Sequence, residues 1–542
     1  MEKAWFRNYP ASCAKEIDVN IYQSMVEVFD NAVDLYGDKI AFQSFGKDLS
    51  YSEINTLSDK FGAYLQNELG IKKGDRIAVM CPNTFTFAIS MWAIIRIGAV
   101  QVSINPLYSP HELEHQLKDA DVENIIIYSA STPTLAEIIE NSPIKQVIVA
   151  EIDDLVDLGL PNTPTDPRLE NTISFVDTLT KGEQHQISIP SLSHSDLIFL
   201  QYTGGTTGLS KGAMLSHSNI IANVLQFSET TKDYLEKGKE IIITAIPMYH
   251  IFALTVNTLA NFSLGSKNVL IADPRDMASF VKTWQATKAT FFTGVNTLFN
   301  GLIHTLGFED IDFSSLKLTV GGGAPVQEVV SKKWESATGQ RIHEGYGLSE
   351  TSPMVTMNHA TSNGYISGIG FPIPSTDISI RDDDNNIVTD GESGELCVKG
   401  PQVMQGYWRN AEATDECMTA DGYFKTGDIA LLDEFGTFHI VDRKKDMILV
   451  SGFNVFPNEI ENAVANMKGL LESACIGVKN EKSGECPKLF AVKTDNSITQ
   501  EDVIKHCRAH LAAYKIPREV VFIDELPKST VGKLLRRELR NF

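Results

Sequence analysis

The chain has no Cys-x-x-Cys pair, and its seven cysteines are scattered and odd in number. That pattern argues against a zinc ribbon, a thioredoxin-like motif or a disulfide framework, and points to a reducing compartment. Positive charge is scarce: 47 Lys and Arg stand against 69 Asp and Glu, a formal net charge of −22. Such a surface repels polyphosphate backbones, so a nucleic-acid partner is not expected, while an anionic small substrate would need local positive groups. The opening residues, MEKAWFRNYPASCAKE, contain no apolar run of a secretory signal. A cytoplasmic location is expected, with peripheral contact at the inner face of a membrane left open.

Uncharged runs long enough to span a bilayer are nearly absent. TFAISMWAIIRIGAVQVSI carries Arg96 and a Gly-Ala break, and residues 241–266 hold no Asp, Glu, Lys or Arg. The second run reaches spanning length. Pro247, His250, Asn257 and Asn261 dilute it, however, and a buried strand, a loop and a buried helix fit better.

What is present is a long chain of ordinary globular composition. Its 542 residues suffice for more than one packed unit. In the first half, strand-like runs alternate with helix-length patterns: RIAVMC, a helix over 83–97, GAVQVSI, the helix HELEHQLKDAD, VENIIIYS and KQVIVAE. This alternation predicts doubly wound, mostly parallel α/β sheets with helices on both faces. From about residue 375 short strands and polar turns predict a small barrel-like β subdomain. A compact α+β remainder follows, with helices near PNEIENAVANM and TQEDVIKHCRAHLAA.

The strongest local signal is YTGGTTGLSKGAMLSH, residues 202–217. Thr203, Thr206, Thr207 and Ser210 offer hydroxyls, and Lys211 adds a charge. Gly204, Gly205 and Gly208 permit backbone amides to converge on oxyanions. The order Ser-Lys-Gly is not the GK[ST] of a Walker A loop, which removes support for ordinary β/γ-phosphate hydrolysis.

Together with GGGAPV (321–326), YGLSETSP (346–353), YFKTGD (423–428), DRKKDMILVSGFNVFPNEIE (442–461) and the tail LPKSTVGKLLRREL, this loop resembles the signature of AMP-forming acyl-CoA synthetases. The N-terminal third is similar to bacterial long-chain fatty-acid–CoA ligases. The resemblance implies ATP-dependent activation of a fatty acid to an acyl-AMP with release of pyrophosphate, then transfer to the thiol of coenzyme A. It implies Mg²⁺ held by Glu350 and Thr203, and phosphates cradled by 203–211. Ser349 would lie on the α-phosphate. Gly322, Gly323, Ala324, Pro325, Tyr346 and Gly347 would lie around adenine, Asp428 on the ribose, and Arg443 on the ribose or phosphate. Lys533 would sit at the carboxylate–α-phosphate junction, His250 beside the acyl group, and Gly452 along the CoA channel. Val531 stands where relatives have Ser.

The same resemblance implies a large adenylation domain over 1–444 and a small mobile domain over 445–542, with a hinge near Lys445. A homodimer is compatible with it. The 241–266 run holds no acidic residue, so an unpaired substrate ammonium there would be costly and an uncharged tail is favoured. GVNTLFNGLIHTLGF offers apolar surface for a channel, or equally for a core. The nearest alternatives are a medium-chain or aryl-CoA ligase. A non-catalytic nucleotide- or fatty-acid-binding protein is the different-class rival.

Overall fold

Strands that are apolar on both faces must be covered on both sides, and the computed structural model covers them. It describes residues 3–159, 163–203, 210–358, 368–451, 453–465, 467–480, 482–529, 533–540 and 542. Among these residues the strands form four sheets.

The seven-stranded sheet runs through Arg76–Met80, Val100–Ser103, Asn124–Tyr128 and Gln146–Ala150 in parallel register and ends on an antiparallel hairpin, Leu197–Thr203 with Lys211–Ser216. The nine-stranded sheet has six parallel strands, from Ile40–Ser44 to Ile342–Gly347, flanked by antiparallel edges. Helix Phe85–Arg96 is buried at every position, as expected of a helix that is apolar all round. Helix Pro110–Ala120 starts where Ser109 and Glu112 form a capping box, with Pro at the first turn.

The β-rich unit expected from about 375 is a four-stranded antiparallel sheet, Asp377–Arg381, Gly394–Lys399, Phe424–Leu432 and Phe438–Arg443. The final sheet has five strands, with Gly484–Lys493 at its centre and Leu470–Asn480 along one edge, packed with helices Pro457–Ala465 and Gln500–His510. The uncharged 241–266 run is a strand, Ile241–Thr244, a turn, and a buried helix. No helix among the described residues is long and apolar enough to cross a membrane.

Two local differences bear on function. KGAMLS, read as part of the phosphate loop, is a strand, because it pairs antiparallel with Leu197–Thr203 along its whole length. The buried helix widens into a π-helix over Ala253–Ala260. Thr258 Oγ1 donates to Ala253 O at 3.0 Å, and Asn261 Nδ2 donates to Val256 O at 2.8 Å, both five residues back.

Candidate active site

The C-terminal tail is docked rather than frayed. Leu526 and Leu539 are buried, and Arg536 donates to both Glu461 oxygens at 2.8 and 2.9 Å. Lys528 pairs with Glu472 at 2.6 Å and bridges back to Leu534. Between these anchors Ser529 N donates to Lys533 O at 2.7 Å, and Lys533 N donates to Ser529 Oγ at 3.1 Å. So held, Lys533 puts its side chain into a cavity lined also by His250, Phe252, Gly323 and Tyr346.

Lys533 lies at the polar end of this cavity. Gly323 takes a φ of +77°, a conformation that favours glycine, and its turn runs within van der Waals reach of Lys533 Cε. Burial lowers the Lys533 amine to about 8. The Arg443 charge acts in the same direction, and Asp428 and Glu350 act against it. Asp428 Oδ2 accepts the Tyr346 hydroxyl at 2.6 Å, and Arg443 Nε lies 3.5 Å from Asp428 Oδ1. The last pair follows from register, since Asp428 and Arg443 face each other across adjacent strands. Burial raises Asp428 above the usual carboxylate range, and Arg443 and Tyr346 oppose it. Ser349, Gly347, Gly322 and Tyr346 line the same space. Gly347 is there by close approach: a Cβ would stand 2.0 Å from Pro353 O.

Glu350 is buried beside it. Its Oε1 accepts the Tyr407 hydroxyl at 2.8 Å, and burial raises its carboxyl against that hydrogen bond. Lys211 Nζ lies 5.1 Å from the centroid of the same Tyr407 ring. In the hairpin, Thr203 faces Lys211, and Ser210 O is held by His115 Nε2 at 2.8 Å.

The other end of the cavity is apolar: Phe227, Phe252, Val256, Met354 and Met357. His250 stands at the junction. Burial, followed by the Lys533 charge, pushes its imidazole down to about 3, so it is neutral near pH 7. Its Nδ1 accepts Phe252 N–H at 3.3 Å, which assigns the ring proton to Nε2.

The cavity therefore gathers His250, Gly322, Gly323, Tyr346, Gly347, Ser349 and Lys533, with Asp428, Arg443 and Glu350 hydrogen-bonded or charge-coupled to it. Ala324 and Pro325 follow in the turn toward helix Glu328–Thr338 and are not among its lining residues. Thr203, Ser210 and Lys211 stand on the hairpin, reached through Tyr407. Gly204, Gly205, Thr206, Thr207, Gly208, Gly452 and Val531 lie outside the described residues. The channel use of GVNTLFNGLIHTLGF is not what the fold makes of it. Leu298, Phe299 and Leu302 pack into a core with Trp284, Phe292 and Trp334.

Lys445 is half-buried, and burial brings its amine down to about 8. Its neighbour Lys444 pairs with Asp383 at 2.8 Å and Glu395 at 3.1 Å, while Glu395 Oε1 accepts Gly427 N–H at 3.1 Å. Residues that sequence reasoning missed are Tyr407, Phe227, Met354 and Met357. Each is of a type that elsewhere would be read as core, and nothing in the spacing separates them from it.

Residues 29–408 match the AMP-binding enzyme family and 459–533 match the AMP-binding enzyme C-terminal domain. The chain belongs to the AMP-binding enzyme family. It is 47% identical to a long-chain-fatty-acid–CoA ligase of Salmonella typhimurium, the match covering 100% of this chain and 98% of the relative. A long-chain-fatty-acid–CoA ligase of Bacillus subtilis is 34% identical, over 99% of this chain and 98% of the relative. Among solved structures, ATP-bound MatB from Rhodopseudomonas palustris superposes with a TM-score of 0.83 at 28% identity, over 95% of this chain and 98% of that one. The anthranilate CoA ligase AuaEII in complex with anthranoyl-AMP gives 0.87 at 22% identity, over 97% and 98%, a likeness of fold.

Proposed function

We propose that this chain is a long-chain fatty-acid–CoA ligase that forms AMP. A carboxylate is a poor acylating agent because its leaving oxygen is strongly basic. In the first step a fatty-acid carboxylate oxygen attacks the α-phosphorus of ATP, and the bond to the bridging oxygen breaks to release pyrophosphate. In the second the CoA thiolate attacks the acyl carbon and AMP departs with the bonding pair. The observation that carries the reading is the single cavity joining the Lys533 amine to an apolar pocket.

Lys533 offsets the repulsion between two anions and stabilises charge at phosphorus. His250, neutral, orients the acyl carboxylate through Nε2–H and closes the pocket, without acting as a base. Tyr346 packs against adenine together with Gly322, Gly323, Ala324, Pro325 and Gly347. Asp428 still has lone pairs for ribose hydroxyls after accepting Tyr346, because a carboxylate offers about four acceptor sites. Arg443 adds charge on the ribose or phosphate, and Ser349 donates to the α-phosphate. The 203–211 loop, with Thr203 and Lys211 paired at its base, takes the β- and γ-phosphates.

Mg²⁺ fits the donors present. Among the described residues no cluster of three or more His, Cys, Asp or Glu forms a cation cage. A magnesium ion carried on substrate phosphates needs only one or two carboxylates. Glu350, with the Thr203 hydroxyl, would hold it, and it would neutralise developing phosphate charge.

The chain divides into an adenylating part, 1–444, and a smaller part, 445–542, turning about Lys445. Thioester formation needs Lys533 withdrawn, and that rotation brings Gly452 and its neighbours to the CoA channel. Supporting this is the way Lys533 reaches the cavity from a tail whose ion pairs run to Asp446, Glu461 and Glu472. Pyrophosphate release and CoA-thioester formation with hexadecanoate, benzoate and a series of amino acids tests the assignment. Thioester from benzoate and none from hexadecanoate defeats it.

A further inference from the structure

Residues 404–408 form no strand of their own, yet they run alongside strand Lys211–Ser216. Gln405 N donates to Met214 O and Met214 N to Gly406 O, both at 2.9 Å. Trp408 N donates to Gly212 O at 2.8 Å. Tyr407 bridges antiparallel to Ala213, and its own N–H donates to Thr414 Oγ1 at 2.9 Å. At one end of the segment Met404 N donates to Glu350 O at 2.8 Å; at the other the Trp408 indole donates to Asp119 O at 3.1 Å. The Tyr407 backbone is therefore fixed from both sides, between the phosphate hairpin and the turn that carries Glu350.

From that position one side chain meets two functional groups. The hydroxyl donates to Glu350 Oε1 and the ring lies beneath Lys211 Nζ. Glu350 is only 8% exposed, so few neighbours besides Tyr407 set how its carboxyl lies. A carboxyl free to swing is a poor partner for a divalent cation. A donor locked onto one oxygen sets its plane. The cation–π contact likewise restrains the exposed Lys211 side chain.

We propose that Tyr407 is a positioning residue of the nucleotide site: its hydroxyl aims the Glu350 carboxylate at the divalent cation carried by ATP, and its ring holds Lys211 on the phosphate side. The proposal rests on the reading of Glu350 given above. It joins the hairpin and the Glu350 turn into one unit, so that cation and triphosphate are gripped together.

The test measures equilibrium binding of Mn²⁺ by electron paramagnetic resonance, on the full chain with α,β-methylene-ATP, which cannot turn over. Tyr407→Phe removes one oxygen and keeps the ring. It should weaken Mn²⁺ binding about 10- to 100-fold, the usual cost of losing an outer partner of a ligand. Metal-free binding of the nucleotide should stay as in the wild type. Glu350→Gln should weaken Mn²⁺ at least as much, and the double variant should be no worse than Glu350→Gln, because the hydroxyl acts through that carboxylate. Trp408→Phe loosens the same segment without touching the hydroxyl and should leave the Mn²⁺ constant unchanged. Wild-type Mn²⁺ binding in Tyr407→Phe overturns the proposal, as do additive losses in the double variant or an equal loss in Trp408→Phe. Wild-type binding in Glu350→Gln overturns the Glu350 assignment and this proposal with it. Failure of the unmutated chain to release pyrophosphate with any acid would instead defeat the ligase reading.

Discussion

At the nucleotide end of the cavity both buried carboxylates already have partners: Asp428 takes the Tyr346 hydroxyl and faces Arg443, and Glu350 takes the Tyr407 hydroxyl. At the acyl end Phe227, Phe252, Val256, Met354 and Met357 offer no such group. The first end recognises by direction and charge, since a buried polar group left unpaired costs its full desolvation. The second recognises by area, at ~0.8 kcal/mol for each methylene removed from water. Under the proposed function, specificity for the reacting atoms and preference for chain length fall to different residues, and each should be alterable without the other.

The sharpest break of that contrast is Lys533→Ala. Pyrophosphate release should fall about 100- to 1,000-fold, the scale of losing one transition-state donor. Thioester formation from supplied acyl-AMP should stay near the wild-type rate. Equal losses in both half-reactions would reject the division of labour.

At the opposite end, Val256→Phe fills space without touching a charge. If ~4 methylenes lose their place, the longest substrates lose ~3 kcal/mol, or about 100-fold in kcat/KM. Short ones are spared, and the KM for ATP is unmoved. A series from octanoate to octadecanoate reads this directly, and a uniform loss at every length would contradict it.

A gentler probe is pH. The Lys533 amine is lowered to about 8, so it is charged below that value and neutral above it. Adenylation should fall as pH rises through about 8, while thioester formation from acyl-AMP should not follow the same limb. Folding or docking has the opposite sign. The docked amine binds fewer protons than the free one between about 8 and its ordinary 10.5, so docking gains as pH rises over that interval.

The smallest effect is expected at Asp383→Asn, which removes one of the two carboxylates on Lys444, beside the hinge. Asp383 is exposed, and exposed ion pairs contribute little, so the ratio of the two half-reaction rates should move by about twofold or less. A tenfold change would mean that the hinge is latched at its surface.

The sequence predicted the alternation of strands and helices because apolar period and turn residues are local properties. RIAVMC, VENIIIYS and HELEHQLKDAD all took the predicted form. Lys533, Asp428 and Glu350 could be singled out because each stands inside a motif. Tyr407 could not. Its role depends on an antiparallel bridge to Ala213, nearly two hundred residues away, and no local pattern encodes that register. KGAMLS was missed as a strand for the same reason: its partner, not its composition, makes it one. GVNTLFNGLIHTLGF carried no sign of which neighbour would cover it, and the aromatic cluster around Trp334 decided the matter.

The π-helix at Ala253–Ala260 carries one residue more per turn than the helix on either side of it, and Val256 lies within that excess. Removing a single residue there should let the segment close into ordinary α-helix, turning the side chains within it while the flanking turns keep their register. For anyone wishing to redraw the apolar pocket, a one-residue deletion is thus a tool of a different kind from a substitution. It should redirect Val256 in one step, leaving Phe252, Lys533 and the nucleotide contacts where they are.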